Sequence, residues 1–141
     1  MNFTNAILAD SSGLLALINK NDAHHEVVKP FATAKLLVSS TVLCEVDYLA
    51  TKYLGEHAAR AFLQGQARGE WQLMAFDEVD LQEANAVRVR YNDIPLGFVD
   101  SSLMALAERY RIPRVLTLDR RHFWTVRPQN FEHFKLLPEV L

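Results

Sequence analysis

The chain has 141 residues, half of them hydrophobic and 23% charged, with a net charge of −2, which is the balance of one ordinary globular domain with a single core. No apolar run is long enough to span a bilayer, and no basic n-region opens the chain, so neither a membrane anchor nor a signal peptide is expected. The lone cysteine, Cys44, can make neither an internal disulfide nor a thiolate zinc site, which points to a reducing, cytoplasmic setting.

Short apolar runs alternate with longer helical patterns, the signature of a mostly parallel sheet in a three-layer α/β/α domain over residues 1–141. The run Ala6 to Ala9 predicts a first strand, ending at Asp10, and Ser12 to Ile18 a helix. A second helix is predicted from about His24 to Ala34. Leu36-Leu37-Val38 predicts the second strand, closed by Ser39, Ser40 and Thr41, whose hydroxyls can cap the next helix. That helix carries an apolar stripe at Val42, Val46, Leu49 and Tyr53 and stops near Gly55. Glu56 to Ala67 predicts another helix, Trp71 to Phe76 a third strand, and Asp80 to Tyr91 a further helix. Pro95 and Gly97 mark a loop. The next helix begins near Val99 and is stopped by Pro113. Val115 to Leu118 predicts the fourth strand, ending at Asp119, and Phe134 to Leu137 a fifth, which Pro138 places at a sheet edge.

Four acids stand out against this frame. Asp10 and Asp119 directly follow strands, Glu45 lies early in the helix leaving the second strand, and Asp100 lies in the first turn of the helix leading into the fourth. In a right-handed parallel α/β fold, strands end and helices begin on one edge of the sheet, so all four belong on the edge where such sheets bind ligands. Glu45 falls within an apolar stripe, where an unpaired carboxylate is costly to bury. Two carboxylates about 4 Å apart repel by roughly 4 kcal/mol at an effective dielectric of about 20, and no matching cluster of Lys or Arg lies near them in sequence. A divalent cation resolves the repulsion, and an all-oxygen ligand set favours Mg²⁺ or Mn²⁺ over zinc. Taken singly, each acid has a plainer explanation: a helix cap for Asp10, a dipole-facing acid for Asp100, a turn residue for Asp119, a distant ion pair for Glu45.

The residues also match a known pattern. Asp10-Ser11-Ser12-Gly13-Leu14 resembles the opening motif of PIN domains, Glu45 with Leu49 the second, Asp100-Ser101-Ser102-Leu103 with Leu106-Ala107 the third, and Leu116-Thr117-Leu118-Asp119 with Phe123 the fourth. The resemblance runs from Ile7 to about Leu137, and the chain's size is similar to that of VapC-type toxins. It implies Mg²⁺- or Mn²⁺-dependent cleavage of RNA, a homodimer and a VapB-like antitoxin. Asp10, Glu45, Asp100 and Asp119 would hold the metal and carry catalysis. Thr117, and after it Ser11, would supply hydroxyl support. In Gly13 the chain departs from the pattern, which commonly has a better helix former there.

Other features leave alternatives open. Met1 to Asp100 holds 8 Lys+Arg against 13 Asp+Glu, whereas Ser101 to Leu141 holds 7 against 4, a local excess of 7 − 4 = +3. That excess is either a solvated face or a phosphate-contacting patch. His24 and His25 read as loop-ordering residues, with metal or RNA contact as the alternative. Arg120, Arg121 and His122 are placed to touch phosphate or to serve structure. Trp71 and Trp124 suit packing better than base stacking. A receiver domain or haloacid-dehalogenase-like phosphatase would need further acids beside Asp10, and a nucleotide-binding module a glycine-rich loop. The remaining alternatives are a PIN-type nuclease acting on DNA or in RNA processing, and an inactive α/β interaction domain.

Overall fold

A computed structural model describes residues 3–141. Five parallel strands form one sheet in the order β3-β2-β1-β4-β5: β1 Ile7–Ala9, β2 Leu36–Ser39, β3 Gln72–Met74, β4 Arg114–Leu116 and β5 Lys135–Leu137. β1 and β2 are buried along their whole length, as strands covered on both faces must be. Successive residues point to opposite faces. Leu8, Leu37, Val115 and Leu136 accordingly join one core cluster, while Ile7, Leu36, Leu116 and Leu137 join a second.

The first cluster is completed by α3 (Ser40–Leu54), α4 (Glu56–Ala67), α5 (Glu78–Arg90) and α6 (Phe98–Tyr110). The second takes Ala16 and Leu17 from α1 (Ser11–Ile18), Val27 and Val28 from α2 (His25–Val28), and Phe31. The fold is the expected three-layer parallel α/β arrangement, and β5 lies at the edge that Pro138 suggested.

The chain builds outward from β1 through β2 to β3, then returns to the other side of β1 with β4 and β5. The order therefore reverses between β1 and β4, and open parallel sheets leave a crevice at such a point, beyond the carboxyl ends of the strands.

Several boundaries differ from expectation, each for a local reason. The predicted helix 24–34 is one turn of α2 followed by a 3-10 turn, Lys29–Thr33, because Pro30 cannot donate a backbone hydrogen bond. α5 begins at Glu78, not Asp80. Asp77 and Asp80 close a reciprocal capping box, Asp80 N–H donating to Asp77 at 3.0 Å and Asp77 N–H to Asp80 at 2.9 Å. Arg109 of α6 donates to both carboxylates at 3.0 Å and ties α5 to α6. β3 is shorter than expected, and Tyr53 falls outside the buried stripe of α3. A short helix, α7 (Arg121–Thr125), was not foreseen.

Gly13 has a steric reason. A Cβ there would lie 2.8 Å from both the Leu116 carbonyl oxygen and its Cγ, so only glycine lets α1 approach β4 this closely. α1 starts at Ser11 regardless. Alanine is the better helix former by about 1 kcal/mol, but overpacking typically costs about 1–3 kcal/mol. Gly13→Ala is therefore expected to lower stability in a denaturant titration. A neutral or stabilising result would mean that helix propensity outweighs the close approach.

Candidate active site

The crevice between β1 and β4 is a cleft of about 490 Å³ lined by Asp10, Glu45, Asp100 and Asp119, with Ser11, Ser12 and His122 beside them and Pro95, Gly97, Phe98 and Val99 forming one wall. Asp10 follows β1 directly, and its N–H donates to Leu116 O at 2.9 Å, extending the β1–β4 ladder into the cleft. Glu45 stands on the second turn of α3 and Asp100 on the first turn of α6.

These two helix starts are joined by a directed chain of hydroxyls. Ser102 donates to Val99 O at 2.6 Å, so Thr41 donates to Ser102 at 2.8 Å, and Ser39 to Thr41 at 2.5 Å. Ser39 also caps α3, accepting from Val42 N–H at 3.3 Å. The hydroxyls after the second strand thus cap the helix as expected, and they also fix Glu45 relative to Asp100.

Asp10 is 4% exposed. One oxygen accepts Ser11 N–H at 2.8 Å. The other accepts the Thr117 hydroxyl at 2.7 Å and, more weakly, the Ser12 hydroxyl at 3.5 Å. Thr117 in turn accepts Asp119 N–H at 3.1 Å, so it connects the two strand ends. Burial pushes the Asp10 carboxyl up to about 7, Thr117 and Ser11 N–H pull against this, and the charges of Asp100 and Glu45 raise it further. Asp100 is also raised, chiefly by burial, with Asp119 and Glu45 adding to the rise and His122 opposing it. Glu45 is half-buried and Asp119 exposed, and neither side chain has a hydrogen bond or ion pair among the described residues. No Lys or Arg lines the cleft.

The sequence-predicted acids and Thr117 are thus brought together. The hydroxyl support differs from expectation. Ser11 Oγ is buried without a partner among the described residues, and it is Ser12 that accepts Leu118 N–H at 2.9 Å and reaches Asp10. His24 and His25 lie away from the cleft. His24 N–H donates to Asp22, and the His25 ring contacts Ala16 O at 2.8 Å, so they order the loop after α1. Arg120 is turned inward, donating to Thr117 O at 2.9 Å and to Pro138 O, where it is structural. Arg121 and Trp124 are exposed outside the cleft, and Trp71 stacks on Phe62. His122 meets Asp100, a contact its sequence position gave no way to foresee.

Among the described residues, no three His, Cys, Asp or Glu side chains form a ready cluster around a metal ion. The chemistry of the donor set still fits a hard cation. Mg²⁺ keeps several waters and commonly takes only one or two carboxylates directly, and the acids here surround a cleft that no lysine or arginine lines.

A five-stranded parallel sheet with four acids at its switch point is the arrangement expected of a PIN-like domain. The PIN domain pattern matches residues 7–126. Ribonuclease VapC26 of Mycobacterium tuberculosis is 33% identical over 135 residues, covering 94% of this chain and 100% of that protein. The crystal structure of Mycobacterium tuberculosis VapC20, a sarcin–ricin loop cleaving toxin, superposes with a TM-score of 0.78 at 22% identity, covering 89% of this chain and 98% of that one. VapBC2 of Rickettsia felis, bound to a promoter DNA fragment, gives 0.65 at 16% identity, with 86% and 92% covered. The chain belongs to the PIN-domain family, and within it to the VapC type.

The raised Asp10 carboxyl has a measurable consequence. Its folded value of about 7 exceeds the ordinary 3.8, so the folded chain holds this proton more tightly than the unfolded chain. The stability it contributes is fully present below about pH 4 and is lost as pH rises through 7. Each tenfold step is worth about 1.4 kcal/mol, so the loss by pH 8 is a few kcal/mol. In a chelating buffer, Asp10→Asn is expected to melt several degrees above the parent at pH 8, by a smaller margin at pH 5, and close to it only near pH 4. Equal melting temperatures at both pH values would mean that the buried charge carries no such cost.

Proposed function

We propose that this chain is a divalent-metal-dependent endoribonuclease, the toxin of a VapBC-type pair, held in check by a VapB-like antitoxin. One observation carries the reading: four carboxylates surround one cleft at the switch point of a parallel sheet, with no lysine or arginine to neutralise them. A structural acid would have an ion-pair partner, whereas an acidic cleft left uncompensated suits a cation and a phosphodiester. The similarity to Ribonuclease VapC26 favours RNA over DNA as the substrate.

Asp10, Glu45, Asp100 and Asp119 would hold Mg²⁺ or Mn²⁺, directly or through water. When bound, such an ion supplies positive charge against the phosphate and a more acidic water. Thr117 and Ser11 N–H keep the Asp10 carboxylate in place. Asp119, exposed at the cleft mouth, would take the proton of the attacking water and pass it to solvent. Attack of that water's oxygen on phosphorus would break the bond to the 3′ oxygen, which would take up a proton from solvent, leaving a 5′-phosphate and a 3′-hydroxyl. The antitoxin would present a basic side chain to the cleft, and the toxin would self-associate as a two-fold dimer. No described helix is long and apolar enough to cross a membrane.

Purified protein incubated with total bacterial RNA is expected to produce discrete new 5′-phosphate ends in Mn²⁺ or Mg²⁺, and none in excess EDTA. Asp100→Asn should cut the rate at least roughly tenfold. Cleavage that persists undiminished in EDTA would refute metal dependence. In cells, expression without a partner should arrest growth and Asp10→Asn should relieve the arrest; an equally toxic variant would remove the cleft as the cause.

A further inference from the structure

We infer that His122 is a positioning residue for Asp100, its ring fixing one carboxylate oxygen and leaving the other free for a divalent cation. The inference rests on the metal-dependent reading above and assigns a residue outside the acidic quartet to the same site.

His122 is only 9% exposed, and its Nδ1 lies 3.2 Å from Asp100 Oδ2. An ionised carboxylate only accepts, so Nδ1 carries the hydrogen and donates it. This is the one hydrogen bond that the Asp100 side chain makes among the described residues. The remaining ring nitrogen, Nε2, is buried with no partner among the described residues. A residue present only for packing would not leave a buried nitrogen unpaired, since an apolar side chain would fill the space without that cost. The contact with Asp100 is what the imidazole gains there.

The surroundings hold His122 in place from both sides. Arg120 donates from Nε to Thr117 O at 2.9 Å and also reaches Pro138 O. Phe123 is buried against Phe134, with ring centroids 5.4 Å apart. α7 is five residues long, far too short to be stable alone, so these two anchors are what keep it helical. Between them the ring is carried to the cleft wall, where it lines the same space as the four acids.

The carboxylates are consequently held to different degrees. Both oxygens of Asp10 are engaged by protein donors, one oxygen of Asp100 is, and the side chains of Glu45 and Asp119 have no such bond among the described residues. A carboxylate fixed through one oxygen keeps a defined direction for the other. Outer partners of this kind commonly alter metal affinity or activity by 10–100-fold, as an order of magnitude.

The test is Mn²⁺ titration calorimetry on the full chain and on His122→Leu, His122→Asn and His122→Gln, with melting curves in chelator as the folding control. Leucine fills the space without a donor. It is expected to melt no lower than the parent yet bind Mn²⁺ about 10–100-fold more weakly. Asparagine sets an amide N–H where Nδ1 stood and should restore most of the affinity, whereas glutamine, whose amide lies nearer the Nε2 position, should not. Parent-like Mn²⁺ affinity in His122→Leu would overturn the inference. If leucine does not fold, equal affinities for the asparagine and glutamine variants would overturn it instead. RNA cleavage, assayed in parallel, separates the two readings: a parent that binds Mn²⁺ in this pattern but cuts no RNA rejects the ribonuclease and keeps the positioning role. A parent that binds no Mn²⁺ overturns the positioning role.

Discussion

Burial of the Asp10 carboxylate at the junction of β1 and β4 is the constraint around which the rest of the structure is arranged. The strand order reverses there, so the sheet opens a crevice where a chain with no function would place apolar side chains. Keeping a carboxylate in it takes several concessions nearby. Gly13 gives up helix propensity so that α1 can close on Leu116. Thr117 commits its hydroxyl to Asp10 and receives Asp119 N–H. Ser12 accepts the Leu118 amide, fastening the segment after β4 to the start of α1. These polar contacts oppose the burial of Asp10 without cancelling it, and its carboxyl remains raised.

The distribution of arginine follows the same logic. Arg120 is the cation nearest Asp119 in sequence, and an ion pair between neighbours would be the simplest way to relieve the cleft. It points instead at the carbonyls of Thr117 and Pro138, bracing the turn after β4 against the end of β5. Arg109 is committed to Asp77 and Asp80. The C-terminal excess of positive charge is thus partly structural, and none of it lines the cleft.

Much of this was legible in the sequence because the strongest signals are physical and local. Wholly apolar runs at Ile7–Ala9 and Leu36–Val38, each followed at once by polar residues, locate the two central strands and their carboxyl ends. From the alternation of strand and helix, the four acids fall on one edge without any tertiary information. What stayed hidden depends on phase and on distant contacts. Two adjacent serines follow Asp10, and which of them faces Thr117 is set by the rotation of α1, fixed by Gly13 against a strand a hundred residues away. α7 is too short to show helical periodicity. Its only signs are Phe123 and Val126, apolar and three apart, and both are buried. His122 and Asp100 are 22 positions apart in sequence, and no pattern within either segment announces their contact.

The cleft's charge bears on how substrate would be bound under the proposed reading. A phosphodiester entering a space lined by Asp10, Glu45, Asp100 and Asp119 meets carboxyl groups with no lysine or arginine among them, at an effective dielectric well below that of water. Its attraction to the protein at that point must come from a cation held with it. Cation and phosphate would therefore bind with positive coupling, and the coupling is reciprocal: whatever factor the ion adds to RNA affinity, RNA adds to ion affinity. A basic group delivered by another chain would satisfy the same acids without any metal. Under the proposed reading, neutralisation by an antitoxin and activation by a divalent ion would be two answers to one electrostatic problem, posed by burying Asp10 among acids and turning Arg120 away.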